Sequence, residues 1–239
     1  MSDGTRTHDH LDHNQGLYQL SYAHHVGVSR LPASACAQQS LAYRVAGYHV
    51  SMPAASIETD RLLLRRWRAA DRVPFAALNA DPVVMEHFPG TLTREESDAF
   101  ADVIDRHFDE HGFGLWAVEV VDGSDLAGEM IGFVGLKVQT FEAAFTPCVE
   151  IGWRLSRAAW GTGYATEAAR ASLRFGFGQA GLDEVLSWTT PDNVRSTAVM
   201  QRIGMVRAPE LDFHHPKLEP TSPLSRHVVY RATPSSSTP

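Results

Sequence analysis

The residues best suited to chemistry lie between positions 149 and 196. Trp160-Gly161-Thr162-Gly163-Tyr164-Ala165-Thr166 is a small turn with two glycines that leads into a helical pattern. Such a turn gathers backbone N–H groups at one point, and the following helix adds its positive dipole end, so the natural ligand is an anion, phosphate above all. Gly161 and Gly163 remove the side chains that would hold a phosphate away. Ten residues before the turn, Glu150 sits within an apolar run as a candidate proton acceptor. Asn193 and Ser196, three apart at the start of a second helical pattern, add a carboxamide and a hydroxyl. Together these residues suit a ligand with a phosphate-bearing end, an amide-bearing stem and a reactive tip.

The elements that must position them are equally plain. Val149-Glu150-Ile151-Gly152-Trp153-Arg154-Leu155 is β-rich and predicts a strand that delivers the turn. After the turn, small or apolar residues recur at Ala165, Ala168, Ala169, Ser172, Leu173 and Gly176, with Glu167, Arg170 and Arg174 on the other face. The end of that strand, near Trp153 and Leu155, could pair with an extended ligand stem as if a strand were being added. That requires the following strand, Glu184 to Thr190, to diverge, so that Leu155 keeps its N–H and C=O for the ligand.

Strand, glycine turn and helix resemble the acetyl-coenzyme A motif of the GCN5-related N-acetyltransferases (GNAT). In that family the turn reads Gln/Arg-x-x-Gly-x-Gly/Ala; here Trp160 occupies the Gln/Arg place. With the following Ala165-Thr166-Glu167-Ala168, the segment is similar to the branch that acetylates ribosomal protein N-termini. A second signature, Asn-x-x-Ser opening a helix that ends in Gly and an apolar residue, is matched by Asn193 to Ser196 and by Gly204-Met205. The resemblance spans about Ile57 to Arg231. It implies an α/β (α+β) fold: a mixed, mostly antiparallel central sheet, splayed between its fourth and fifth strands and flanked by helices. It also implies acetyl-CoA as co-substrate, bound by Trp153, Leu155, residues Gly161 to Thr166 and Asn193, with no metal.

Acetyl transfer to an amine needs a neutral amine, although an α-amino group titrates near 8 and a lysine near 10.4. It needs a donor for the developing oxyanion, for which a backbone N–H of strand 149–155 is the candidate. The leaving thiolate gains from a proton donor. Glu150 is the candidate base, working through water; the alternative is a strand carboxylate satisfied by a neighbouring arginine. Ser196 matches the family's helix serine and is the candidate acid; the alternative is an ordinary first-turn serine. Asn193 is a helix N-cap, a contact to the pantetheine arm, or both. Some relatives carry a glutamate where this chain has Trp188, and many use a tyrosine where it has Val199 and Met200. The acceptor is expected to be an amine-bearing small molecule or a protein N-terminus. The competing reading is a catalytically silent acyl-CoA-binding or sensing module.

Composition is that of an ordinary globular protein: 239 residues, 44% hydrophobic and 21% charged, net charge −7. The negative charge argues against a nucleic-acid binder. No apolar run is long enough to span a membrane, and the first 30 residues lack a secretory pattern. Cys36 and Cys148 cannot form a disulfide framework or a zinc site, so a cytoplasmic protein is expected. A homodimer is left open.

Residues 1–51 hold six of the 12 histidines without sustained periodicity, and are expected to be disordered or not native coding sequence. Leu17 to Tyr22 can be encoded by a stretch whose reverse complement resembles the D-arm of a transfer RNA gene, which would put the true start at Met52. The domain is expected over 52–232, with a frayed tail at 233–239.

Within the domain, Thr59 to Trp67 predicts a strand and Asp71 to Asn79 a helix. Pro82 to Phe88 predicts a short second helix, with His87 and Phe88 as acceptor contacts. Thr93 and Glu96 form a capping box for a longer helix that ends at His111-Gly112. Strands follow at 114–121 and 130–138, the latter with internal glycines that imply a bulge or a close backbone approach. Gly176 to Gly181 matches GxGxxG, but it closes a helix instead of opening one, so a C-cap is expected. Strands near 206–213 and 226–231 finish the domain, and His214-His215-Pro216-Lys217 reads as a polar loop on the acceptor side.

Overall fold

The computed structural model describes residues 56–234, so the expectations for 1–51 and for the last residues of the tail lie outside the described residues. The chain runs β1 (Ile57–Glu58), β2 (Leu62–Arg65), α1 (Arg72–Asn79), α2 (Arg94–His111), β3 (Leu115–Val120), β4 (Met130–Gln139), β5 (Cys148–Leu155), α3 (Tyr164–Gly178), β6 (Val185–Thr189), α4 (Val194–Arg202), β7 (Val206–Arg207), β8 (Phe213–His214) and β9 (Arg226–Ala232). The sheet order is β1-β2-β3-β4-β5-β6-β9-β7, with β8 on β9. All pairings are antiparallel except β5 with β6, the fourth and fifth of the long strands, so the expected mixed, splayed sheet is present.

Three predicted elements differ. The strand expected over Thr59 to Trp67 is shortened to Leu62–Arg65, because residues 59–61 form a turn in which Thr59 Oγ1 and its backbone N–H engage Leu62 C=O. Residues 82–88 form turns and no helix, because a single i→i−4 bond, from Met85 N–H to Asp81 C=O (3.0 Å), is followed by a tighter turn at Phe88 before Pro89-Gly90. The strand expected over 206–213 is two short pieces separated by a 3₁₀ turn at Pro209–Leu211.

The core lies on both faces of β4 and β5. Phe75, Phe100 and Phe133 meet edge-on or tilted, with centroids 5.7–6.1 Å apart, and seat α1 and α2 on one face. The small residues Ala168, Ala169 and Ser172 bring α3 close to the other face. Thr93 caps α2 with Glu96 as expected, and Gly112 closes it in the left-handed conformation. His107 ties α2 to β4: its Nδ1–H donates to Phe113 C=O (2.9 Å) and its Nε2 accepts from Val138 N–H (3.0 Å). Burial pushes this histidine down to about 3, so it stays neutral in that role. Gly132 answers the expectation of a close approach, since a Cβ there would stand 2.1 Å from Arg154 C=O.

Candidate functional site

The two edges of β5 are used differently. Toward β4 it is registered over eight residues, from Gly132–Leu155 to Gln139–Cys148. Toward β6 it has one register pair, Glu150–Leu186. Ser156 N–H donates to Ile131 C=O (2.8 Å), and antiparallel alternation then turns the backbone groups of Gly152 and Arg154 toward β4 and those of Ile151, Trp153 and Leu155 toward β6. Past the single pair, Ile151 C=O accepts from Ser187 Oγ (2.9 Å), a side-chain bond where a ladder would have continued. Trp153 therefore presents both main-chain groups to the gap between the strands. Leu155 presents its N–H only: its carbonyl accepts from Trp160 Nε1 (2.8 Å), which corrects the expectation that both groups stay available. Trp160 thus closes the end of the strand onto the turn.

The turn itself leaves its backbone open on the cavity side. Gly161 (φ 77°) and Gly163 (φ 88°) adopt left-handed conformations, and Gly163 is the N-cap of α3. Residues 161–163 are exposed. A Cβ on Gly161 would meet nothing within 4 Å. The space before the turn is therefore open to a ligand, and the first-turn N–H groups of α3 are directed into it. The turn is braced from outside the motif. Thr162 Oγ1 donates to Ala159 C=O (2.8 Å). Arg61 donates to Thr162 C=O (3.0 Å), pairs with Glu167 (2.6 Å) and lies 4.7 Å from the centroid of the Tyr164 ring. Tyr164 is buried and its hydroxyl donates to Asp122 (2.8 Å), so it can offer the site only its backbone.

A cavity of 1230 Å³ joins the turn, the gap and the far side of the sheet. Glu150 lines it, buried, with its carboxylate accepting from Gln139 Nε2 and with Lys137 as its cross-strand partner. Neither partner is the arginine that the alternative reading expected. Burial raises the Glu150 pKa, against the Gln139 bond and the Lys137 charge, and the same burial lowers that of Lys137. Asn193 caps α4, accepting from Ser196 N–H (3.1 Å) and donating to Thr189 Oγ1 (2.9 Å). Ser196 is half-buried on the cavity wall, and its hydroxyl has no hydrogen bond among the described residues.

The α1/α2 face supplies the rest. His87 and Phe88, the expected acceptor contacts, line the cavity. Arg154, buried on β5, donates to Asn79 Oδ1 (2.6 Å) and stands 4.2 Å from the Phe88 ring centroid. Trp188 joins an aromatic cluster with Phe141, Phe145 and Phe213, centroids 5.6–5.9 Å away. His215 is not part of an exposed polar loop. It is 4% exposed, ringed by Phe141, Phe213 and His227, and held near 3 by burial. Among the described residues no group of three or more His, Cys, Asp or Glu could hold a metal ion. None of the described helices is long and apolar enough to cross a membrane.

With this geometry in view, residues 61–206 match the family described as Acetyltransferase (GNAT) domain. The chain belongs to the GNAT acetyltransferase family. As an acetyltransferase it is 32% identical over 148 residues to the uncharacterized Bacillus subtilis protein YkkB, covering 62% of this chain and 83% of that one. An acetyltransferase from Agrobacterium tumefaciens shares the fold with TM-score 0.59 and 26% identity, covering 77% of this chain and 97% of its own. A Vibrio cholerae protein described as a ribosomal-protein-serine acetyltransferase has the same fold (TM-score 0.57, 20% identity, 77% and 99% covered).

Several residues of the cavity escaped the sequence. Lys137, Arg154 and His227 reach it through strand register and tertiary packing. Arg61 and Arg195 lie far in sequence from the turn they adjoin. Only Trp160 carried a local signal, its departure from the motif.

Proposed function

We propose that the chain transfers the acetyl group of acetyl-CoA to a primary amine, on a small molecule or a protein N-terminus, by direct attack in a ternary complex. The observation that carries this reading is the confinement of β5–β6 pairing to Glu150–Leu186, with the glycine turn at the open end of the gap. The N–H groups of residues 161–166 would hold the diphosphate. Trp153 C=O and Leu155 N–H would pair with the amides of the stem, and Trp153 N–H would donate to the acetyl carbonyl, where charge develops. Acetyl-CoA supplies the activated acyl group, and the protein's own side chains move the protons.

Glu150 takes the proton of the amine through water. Its raised pKa brings it toward neutrality, which suits a base that must accept a proton and release it again. The Ser196 hydroxyl donates toward the departing sulfur, and Asn193 fixes that serine by capping its helix. The approach from the α1/α2 face, past His87 and Phe88, is left for the amine.

The test is release of free thiol from acetyl-CoA across a panel of amines and N-terminal peptides. Turnover with one acceptor class supports the reading. Tight CoA binding with no turnover across the panel would favour the silent, sensing alternative.

A further inference from the structure

Arg195, the second residue of α4, stands across the gap from the glycine turn. Its guanidinium lies 4.5 Å from the centroid of the Trp160 ring, and Trp160 is the first residue of that turn. On its other side Arg195 Nη2 meets Glu86 Oε2 at 2.7 Å. Glu86 belongs to the loop 81–90 on the α1/α2 face. The neighbouring His87 reaches in the same direction, its Nδ1 3.2 Å from Thr190 Oγ1, and Phe88 backs onto Arg154. Two contacts therefore latch this loop to the β6–α4 side of the gap, and one of them engages a cation that also lines the coenzyme cavity.

The two partners of Arg195 differ in strength. The contact with Trp160 is a cation over a ring face, 4.5 Å from its centroid, and leaves guanidinium N–H groups for hydrogen bonding. Glu86 takes one of them, but both side chains are about half exposed (52% and 55%), and exposed ion pairs of this kind are weak. A phosphate offers the same N–H groups more charge and more acceptor oxygens. An anion seated on the N–H groups of residues 161–166 would stand beside the turn's own Trp160, within the sweep of an arginine already held there.

We propose that Arg195 serves two anions in turn: Glu86 in the free protein and the coenzyme's diphosphate in the complex. The exchange leaves Glu86 without its cation and releases one of the two contacts that tie loop 81–90 to the β6–α4 side, while the Asp81–Arg157 pair (2.8 Å) holds the loop's start. Coenzyme binding thereby loosens the wall past which the amine must enter. This rests on the acetyl-CoA reading above, and adds to it a residue that answers to the coenzyme and a loop that answers to the residue.

The exchange makes a prediction that a static ion pair does not, because its two partners must act with opposite sign. Calorimetric titration with CoA, 3′-dephospho-CoA and pantetheine tests it. Arg195→Gln should weaken CoA and dephospho-CoA about tenfold and pantetheine less than about twofold. Glu86→Gln should tighten CoA and dephospho-CoA roughly two- to fivefold, by removing the competing anion. Amide exchange in residues 82–88 should quicken when CoA binds the wild type, and be already quick in Glu86→Gln. Weakened or unchanged CoA binding in Glu86→Gln overturns the proposal, as does unchanged binding in Arg195→Gln or unchanged loop exchange. Should Arg195→Gln not fold, the sign of the Glu86→Gln effect decides alone. A wild type that binds none of the three probes defeats the acetyl-CoA reading itself. A wild type that binds CoA, with Glu86→Gln weakened, defeats only the exchange.

Discussion

The two edges of β5 are made from the same eight residues and serve opposite ends. Its β4 edge is a complete ladder, spent on folding. Its β6 edge closes after one pair, and Ser187 and Trp160 take up the carbonyls on either side of Trp153. What separates them is the neighbour. β4 follows β5 along its whole length, helped by Gly132, where any side chain would collide with Arg154 C=O. β6 is drawn away by five register pairs with β9 and by the aromatic packing of Trp188. An opening in a sheet is therefore a product of stronger pairing elsewhere, and the partners that end it mark where a ligand strand would begin.

Four changes would break or sharpen this contrast. Glu150→Gln should lower kcat by about 10²–10⁴-fold while CoA affinity holds, because it removes the proposed base and leaves the strand paired. Rates that match the wild type would make Glu150 a structural carboxylate. Gly163→Glu should cost about 10²-fold in CoA affinity by setting charge and bulk against the diphosphate. Gly163→Ala separates the two causes, since it shares the strain of φ 88° without the charge, and should lose much less.

The third change acts on pH dependence. Burial raises the Glu150 pKa and the Lys137 charge opposes that rise. The base works when deprotonated, so activity should fall as pH drops through the raised pKa. Lys137→Met removes the opposing charge, and the acidic limb of kcat should move to higher pH; a limb that stays or moves down would disconnect the two residues. The smallest effect is on stability. Trp160→Phe leaves Leu155 C=O without its donor and should cost about 1 kcal/mol, a fall in Tm of roughly 2–4 °C. No fall in a thermal melt would mean that water replaces the indole.

The range of the forces involved decides how much of this was legible in the sequence. The turn was readable because two left-handed backbone positions demand glycine, whatever surrounds them. Strands β3 to β6 and helix α2 carry local periods and caps. The α1/α2 face was not readable in the same way. Lys137 meets Glu150 only through strand register. His214-His215-Pro216-Lys217 looks polar, yet His215 is buried because the rings of Phe141 and His227, from other strands or loops, join the neighbouring Phe213 around it. Pro82 to Phe88 has helical composition, but Pro89-Gly90 limits it to about two turns, and only the bond from Met85 N–H to Asp81 C=O is helical. Arg195 approaches Trp160 from thirty-odd residues away, across a gap that no single segment encodes.

The central claim is that the coenzyme completes the open edge of β5 as a strand would. Amide hydrogen exchange resolved residue by residue tests it directly, with and without acetyl-CoA. The account predicts marked slowing at Leu155 and Trp153, with little change at Gly152 and Arg154, whose N–H groups already face β4. Equal slowing at all four, or none at Leu155 and Trp153 while acetyl-CoA is bound, would contradict it.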